Sequence, residues 1–316
     1  MEMTSYTLLA LGPSSPHTDS EWLNHPQITA VFQHRPAAPN GKRLGSRVLG
    51  IGLDALILAV RTLKPSVKGP YIANNPWIGA ALRLTGRTNF IVTGIYAEPS
   101  SRSWKVLRKL IGGARVIALS KSEIGPWNAD GGNAQAVLYG NSFGYPLQEP
   151  SPHFHIFVGG TSDRDPGIIS ELVEEVLRSR TPVRLTLATG EPASETQRNG
   201  NVIKRPGYLS QHDFGQLLST ASVVFLPIAQ GTRAAGHMVL VGALESGIPV
   251  CVTPSEGMKE YVIGPAVTLC DPTRPILPQL RLLASKPHLQ SGEIREFWAD
   301  TFSLKSYIAR VGELLD

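Results

Sequence analysis

Two stretches of the sequence place glycines, hydroxyls and guanidinium groups just beyond apolar β-branched runs. That combination suits the holding of an anion. In one, the run Val223–Leu226 ends at Pro227 and opens into the loop Ile228–Gly236, which carries Gly231, Thr232, Arg233 and Gly236. Helical spacing begins at His237 and stops at Ser246-Gly247-Ile248-Pro249, where a buried strand starts. A helix start offers unbonded N–H groups and roughly half a positive charge. Loop amides and helix start together make a ready anion site. The glycines let a phosphate approach the backbone, and Arg233 can add a charge-assisted bond. In the other, Phe157–Asp165 (FVGGTSDRD), a strand runs into Gly159-Gly160, followed by Thr161 and Arg164. Each stretch also reads as an ordinary strand-to-helix turn, the second with a Ser-Asp cap for a helix at Gly167.

Further candidates lie nearby. Gly207-Tyr208-Leu209 follows the short strand Val202–Lys204; Tyr208 there can stack on a nucleobase while a neighbouring amide reads its edge, or can pack in the core. The loop Pro254–Glu260 carries Glu256, Gly257 and Glu260, and Glu260 suits a sugar hydroxyl as well as the start of a helix. No His/Cys cluster has ligand spacing. Asp163-Arg164-Asp165 has the letters of a carboxylate pair, but its place after the glycine pair argues against a metal, so none is expected.

These loops need a scaffold, and the rest of the chain supplies one. At 316 residues the chain is long enough for about two domains. An apolar fraction of 42% with 17% charged residues excludes a disordered chain. Two cysteines, Cys251 and Cys270, exclude a disulfide scaffold. The net charge of +5 is weak evidence for nucleic acid, which is not expected as a partner, and fits an anionic small molecule or a bilayer surface equally well. The N-terminus lacks a basic region and a long apolar run, and no stretch is long enough to span a membrane, so the expectation is a soluble, cytoplasmic protein.

Strand-like runs alternate with helical ones. The first half reads as strands at Tyr6–Leu11, Ile28–Gln33, Tyr71–Ala73, Asn89–Gly94, Val116–Leu119 and Val137–Tyr139, with helices at Leu44–Thr62, Trp77–Leu84 and Trp104–Ile111. Three prolines between Tyr145 and Pro152 cannot continue a helix or a central strand and predict a linker. A second series follows, with strands at His155–Val158, Arg184–Ala188, Val202–Lys204, Val223–Leu226 and Val250–Thr253. Its helices are Gly167–Arg180, His212–Thr220 and His237–Ser246. The alternation predicts two α/β domains with parallel sheets wound in the Rossmann manner. Ligands of such sheets sit beyond the carboxyl ends of the strands.

Taken together, these residues resemble the C-terminal domain of GT-B glycosyltransferases, in particular the group-1 (GT4-like) family. The resemblance rests on Gly159-Gly160 with Arg164, Gly207-Tyr208-Leu209-Ser210, Ala221–Pro227, Gly236–Val250 and Gly257–Val262. Leu63-Lys64-Pro65, Phe90–Pro99, Val116–Glu123 and Val137–Asn141 are similar, more loosely, to the family's acceptor domain. The resemblance implies an α/β GT-B architecture, two Rossmann-like parallel-sheet domains facing each other across a cleft. Residues 1–148 would be the acceptor domain, 152–298 the nucleotide-sugar domain, and 299–316 a last helix crossing back to the first.

The resemblance also implies metal-independent sugar transfer from a nucleotide diphosphate sugar, UDP- or GDP-linked, to a hydroxyl of a small molecule, a glycan or a lipid-linked acceptor, with no cofactor. Gly159, Gly160, Thr161, Arg164, Arg233, Gly236 and His237 would bind the diphosphate, His237 as a donor from the helix start. Tyr208, Leu209 and Glu245 would take base and ribose, and Glu256, Gly257 and Glu260 the sugar. One departure stands out: Gly242 and Ala234 occupy the places of the family's paired glutamates, so Glu245, one turn further on, is the remaining carboxylate. An inverting enzyme needs a general base from the first domain. Glu98, past the strand Phe90–Gly94, is the first choice and His17, in the loop after the first strand, the second. The helix Ser103–Ile111, with Trp104, Leu107 and Ile111 among Lys105, Arg108 and Lys109, suits either sheet packing or an anionic bilayer. Two other readings stay open, a sugar-nucleotide epimerase and a GT-B-like accessory protein that binds nucleotide without turnover. The sequence leaves the oligomeric state open.

Overall fold

A computed structural model describes residues 4–12, 16–34, 47–64, 67–99, 101–149, 151, 153–286 and 290–315, without the side chains of 16–18 and 47–49. The chain folds as two units, Met1–Leu138 with Tyr307–Asp316, and Tyr139–Ser306. The first contains β1 (Tyr6–Leu11), α1 (Pro16–Leu23), β2 (Ile28–His34), α2 (Arg47–Arg61), β3 (Tyr71–Ala73), α3 (Pro76–Leu84), β4 (Phe90–Thr93), α4 (Arg102–Ile111), β5 (Arg115–Ala118), α5 (Lys121–Ala129) and β6 (Asn133–Ala136). Its six strands are all parallel, in the order β2-β1-β3-β4-β5-β6. Parallel strands need covered faces, and the buried run Phe90–Thr93 is apolar except for Thr93. Local chemistry sets the helix starts. Asn75 accepts from Trp77 N ahead of Pro76, and Ser101 accepts from Trp104 N. The C-terminal tail joins this unit through the Tyr6 hydroxyl, which donates to Leu315 O at 2.6 Å, and through Tyr307, edge-on to Trp22.

The second unit contains β7 (Phe154–Gly159), α6 (Pro166–Arg178), β8 (Val183–Ala188), β9 (Ser194–Arg198), β10 (Asn201–Arg205), α7 (Gln211–Ser219), β11 (Val223–Leu226), α8 (His237–Glu245), β12 (Val250–Val252), a 3₁₀ turn (Glu256–Tyr261), β13 (Val267–Leu269), α9 (Ile276–Ala284) and α10 (Ser291–Thr301). Helix α11 (Leu304–Gly312) follows. The sheet order is β13-β12-β11-β7-β8-β10-β9, parallel except for β9. Its core gathers Ile156, Val158, Leu185, Val223 and Phe225 from the strands with Leu172 and Leu280 from the helices.

The structure departs from the sequence reading in several places, among them the unexpected helices α1, α5, α9 and α10 and the strand β13. The final strand of the first unit is Asn133–Ala136, not Val137–Tyr139. Its sequence, Asn-Ala-Gln-Ala, has no β-branched residue to betray it. The antiparallel β9 is exposed throughout and carries no apolar alternation, so periodicity is blind to it. The helix expected at Leu44–Thr62 is Arg47–Arg61, its first three expected residues lying outside the described ones. The proline-rich segment is also anchored to the second unit. Gln148 N donates to Ser246 O at 2.7 Å, its Nε2 donates to Ala221 O at 2.6 Å, and Glu149 N donates to Ser219 O at 3.1 Å. Tyr145 is buried between Gly215 of α7 and Gly242 of α8, and stacks on Phe143 at 5.1 Å. Replacing a buried aromatic with alanine leaves a cavity worth about 3–5 kcal/mol. Tyr145→Ala should therefore lower the unfolding free energy of the second unit by that amount in denaturant titration; a loss under about 1 kcal/mol would mean the ring is not a core element.

Candidate anion site at the switch point of the second sheet

The strand order of the second sheet reverses between β7 and β11. Chain order runs outward from β7 through β8 and from β11 through β12, so the loops after β7 and β11 diverge and leave a crevice at their carboxyl ends. Those are the two glycine-bearing loops. The backbone zips them together: Asp165 N donates to Pro227 O at 2.8 Å and Ala229 N to Asp163 O at 2.9 Å. Asp165 also caps α6, accepting from the amides of Gly167 and Ile168.

Arg164 sits at the centre of this arrangement. Its Nε and Nη2 donate to Gly159 O at 2.8 and 2.6 Å, and Nη1 donates to Ser162 O at 2.9 Å. Five guanidinium N–H groups less these three leave donors for a ligand. Burial lowers its pKa to about 10, with Asp163 opposing the shift, so it stays charged at neutral pH. Gly160 and Gly236 both have φ of 92°; a Cβ on Gly160 would crowd the Arg164 guanidinium, and one on Gly236 would press on Ile228 and lie in contact with the guanidinium. Gly160 thus admits the cation to the start of α8. Gly236 is the N-cap of that helix, with no side chain capping the first turn. The amides there and the positive end of the helix face the same place. Across the loop, Arg233 pairs with Asp163 at 3.4 Å, and Thr161 is exposed beside Gly160.

His237 opens α8 and is buried. Its Nδ1 is bonded to Ala234 O, its ring meets Tyr139 edge-on at 4.7 Å, and Tyr261 lies 5.9 Å away. Burial, with the charges of Arg233 and Arg164, lowers its pKa to about 4, against the pull of Ala234 O. A carbonyl only accepts, so the neutral ring carries its proton on Nδ1. Nε2, which has no partner among the described residues, then presents a lone pair. The expected donation from His237 to a diphosphate is therefore corrected: Nε2 is an acceptor, suited to a hydroxyl.

Two further assignments change. Glu245 is buried, and its carboxylate accepts from Phe143 N at 3.0 Å and Gly144 N at 2.9 Å. Burial pushes its pKa up to about 7 although these amides pull it down. Both oxygens serve the backbone, so it clamps the chain at 143–144. Gly257 gives its amide to Gly231 O at 3.0 Å, and a Cβ there would collide with Arg233 O. It shapes the Gly231–Arg233 loop from behind and has no N–H left for a sugar. Glu256 is exposed and Glu260 half-buried on the 3₁₀ turn. Tyr208 is 81% exposed, its ring free on the β10–α7 loop, with Leu209 half-buried next to it. In the first unit Glu98 is half-buried past the carboxyl end of β4, while His17 falls in the first turn of α1 with its side chain outside the described residues. Tyr139 and Tyr261, which hold the His237 ring, went unnoticed in the sequence because each reads as part of an ordinary apolar run. Among the described residues, no group of three or more His, Cys, Asp or Glu could hold a metal.

His237 has a counterpart in His155, buried, bonded to Thr220 O and Thr186 Oγ1, and likewise lowered to about 4, mainly by burial. Both rings titrate below the ordinary 6.5, so the folded chain binds fewer protons than the unfolded one. The stability they contribute is complete above pH 6.5 and is lost as pH falls through about 4. Each ring adds a slope of up to about 1.4 kcal/mol per pH unit. Glu245, with its pKa raised to about 7, opposes one ring above pH 4.5, so the other ring sets the net sign. The melting midpoint should fall across that interval, and His237→Gln should make it fall less; a parent midpoint that rises on acidification would refute this.

Sequence comparison finds no matching family model and no matching curated protein. Comparison of structures finds many matches along the whole chain. Sucrose-phosphate synthase from Thermosynechococcus elongatus is 14% identical, with a TM-score of 0.66 and 98% of each chain covered. HepE of Anabaena, in complex with UDP-glucose, is 12% identical, with a TM-score of 0.60, 98% of this chain and 99% of that one covered. WaaG, a glycosyltransferase involved in lipopolysaccharide biosynthesis, is 13% identical, with a TM-score of 0.55, 98% of this chain and 99% of that one covered. The chain has the α/β fold of the GT-B glycosyltransferases, built on two Rossmann-like units.

Proposed function

We propose that this chain is a glycosyltransferase that takes its donor, a UDP- or GDP-linked sugar, at the switch point of the second unit. The observation that carries the reading is the uncapped start of α8 with the Arg164 guanidinium packed against Gly236. A diphosphate fits this place by charge and by donor supply. The UDP-glucose complex of HepE, a protein of the same fold, supports a nucleotide-sugar donor. In transfer, the bond from the sugar's anomeric carbon to the diphosphate oxygen breaks, and its electron pair stays on that oxygen. Helix amides and Arg164 meet the charge that develops there, in the manner of an oxyanion site. The acceptor oxygen bonds to the anomeric carbon and loses its proton to a base. In an inverting reaction Glu98 is that base. Tyr208 stacks on the nucleobase, and His237 Nε2 accepts from a hydroxyl of the donor. The reading needs no metal ion to balance the diphosphate.

A second reading has one observation in its favour. The ring of Tyr145 packs on Gly242, the position where the resembling family carries a ribose-binding glutamate. A donor site without that carboxylate suits nucleotide binding without turnover.

Titration calorimetry with UDP and GDP tests the donor site. One nucleotide should bind, and Arg164→Ala should weaken it about tenfold or more, the loss of one charge-assisted contact. Unchanged affinity in a variant that melts like the parent would remove Arg164 from the site. Glu98→Gln should abolish transfer while sparing nucleotide binding; full turnover in that variant excludes Glu98 as the base. Nucleotide binding with neither transfer nor donor hydrolysis would favour the second reading.

A further inference from the structure

Helix α2 turns an apolar stripe outward. Leu53, Leu56, Ile57, Val60 and, just past the helix, Leu63 are all exposed, Leu53 by 60%. Their spacing of three and four residues puts them on one side, while Ala55, Leu58 and Ala59 are buried on the other. A soluble helix reverses one of these faces to polar residues; this one does not. The neighbouring helix extends the patch. The Arg87 guanidinium donates to Thr62 O at 2.6 Å, which joins the end of α3 to the end of α2. Leu84, 67% exposed, and Arg83, exposed with its guanidinium beside Gly112 at the end of α4, close α3. Helix α4 packs beyond α3 and exposes Lys105 and Lys109.

The charge around this stripe has one sign. From Arg47 to Arg115 the sequence has eleven Lys or Arg and two carboxylates, Asp54 and Glu98. Asp54 is buried and faces His34 at 3.3 Å, and Glu98 is half-buried with a partner of its own. The first unit holds 16 Lys or Arg against nine Asp or Glu, the second 14 against 16, so the modest charge of the whole chain hides a strongly basic half.

We propose that this face of the first unit rests on an anionic phospholipid bilayer. The α2 stripe enters the interface, and Lys64, Arg83, Lys105 and Lys109 meet the lipid phosphates. An apolar stripe bordered by cations is the pattern of helices that lie in a membrane surface. A second copy is disfavoured, because a two-fold pairing would set this cationic border against itself. Among the described residues no helix is long and apolar enough to cross a membrane, so the contact is peripheral. The sequence left the helix Ser103–Ile111 open between sheet packing and a bilayer contact. There, Trp104, Leu107 and Ile111 are buried against the sheet. That helix supplies cations, and the apolar surface belongs to α2.

Sedimentation of the full chain with vesicles tests this. The protein should pellet with vesicles of phosphatidylcholine and phosphatidylglycerol, remain in solution with phosphatidylcholine alone, and be released by salt. Leu53→Ser with Ile57→Ser, and separately Lys64→Glu with Arg83→Glu, should each lower partitioning about tenfold or more. Melting midpoints should match the parent, since all four side chains are exposed. Three results would overturn the proposal: a parent that stays in solution with anionic vesicles, equal binding to neutral ones, or a serine variant that pellets like the parent. A dimer in gel filtration that the serine variant dissociates would also overturn it, by assigning the stripe to a second copy.

Discussion

One cation organises the second unit's ligand edge. The Arg164 guanidinium closes its own loop onto Gly159 O and Ser162 O, and it lies beside Gly236 in space that a side chain on Gly160 would take. A charge held by three backbone carbonyl contacts needs no reorganisation when an anion arrives. The same packing brings the loops after β7 and β11 into register, so the helix dipole of α8 and the guanidinium act at one point. Had Gly160 carried a Cβ, the cation would have to move, and the two loops would lose their common anchor.

Much of this was legible in the sequence, for physical reasons. The buried strands are apolar runs ending at Gly or Pro, and the helix starts carry Asn, Ser or Asp caps, so both sheets could be read from patterning and turn chemistry. The two glycine-bearing loops could be placed because Gly and Pro beyond an apolar run mark the end of a strand. Illegible were the segments whose role is set by partners far away in the chain. Strands β6 and β9 are polar and held by neighbours, not by their own propensity. Glu245 looked like a ligand because it is an acid on the right helix. Its role as a clamp depends on Phe143 and Gly144, about a hundred residues earlier.

His237 shows how a helix start legible in the sequence can hide the chemistry of its side chain. Its position at the helix start was evident from the sequence. The tautomer was not, because it is fixed by Ala234 O and by the surrounding burial. Sequence proximity suggested a donor to phosphate; the observed bond leaves an acceptor. A similar displacement occurs on the first unit, where the amphipathic spacing of α4 drew attention while the outward apolar surface is that of its neighbour but one.

Tyr145 lies against two glycines, Gly215 and Gly242, on adjacent helices. This ring and those bare backbones form a lock whose parts cannot be exchanged singly. An acidic side chain grafted at 242 would meet the aromatic face, with Tyr145 Cε2 only 2.7 Å from the new Cβ. Removing the ring first would instead open a void. The route from this interior to one with a carboxylate at that helix position therefore passes through a damaged intermediate whichever step comes first. Such pairs are strongly epistatic. An engineer wishing to alter the helix at 242 would have to redesign the 143–145 strand of chain in the same stroke.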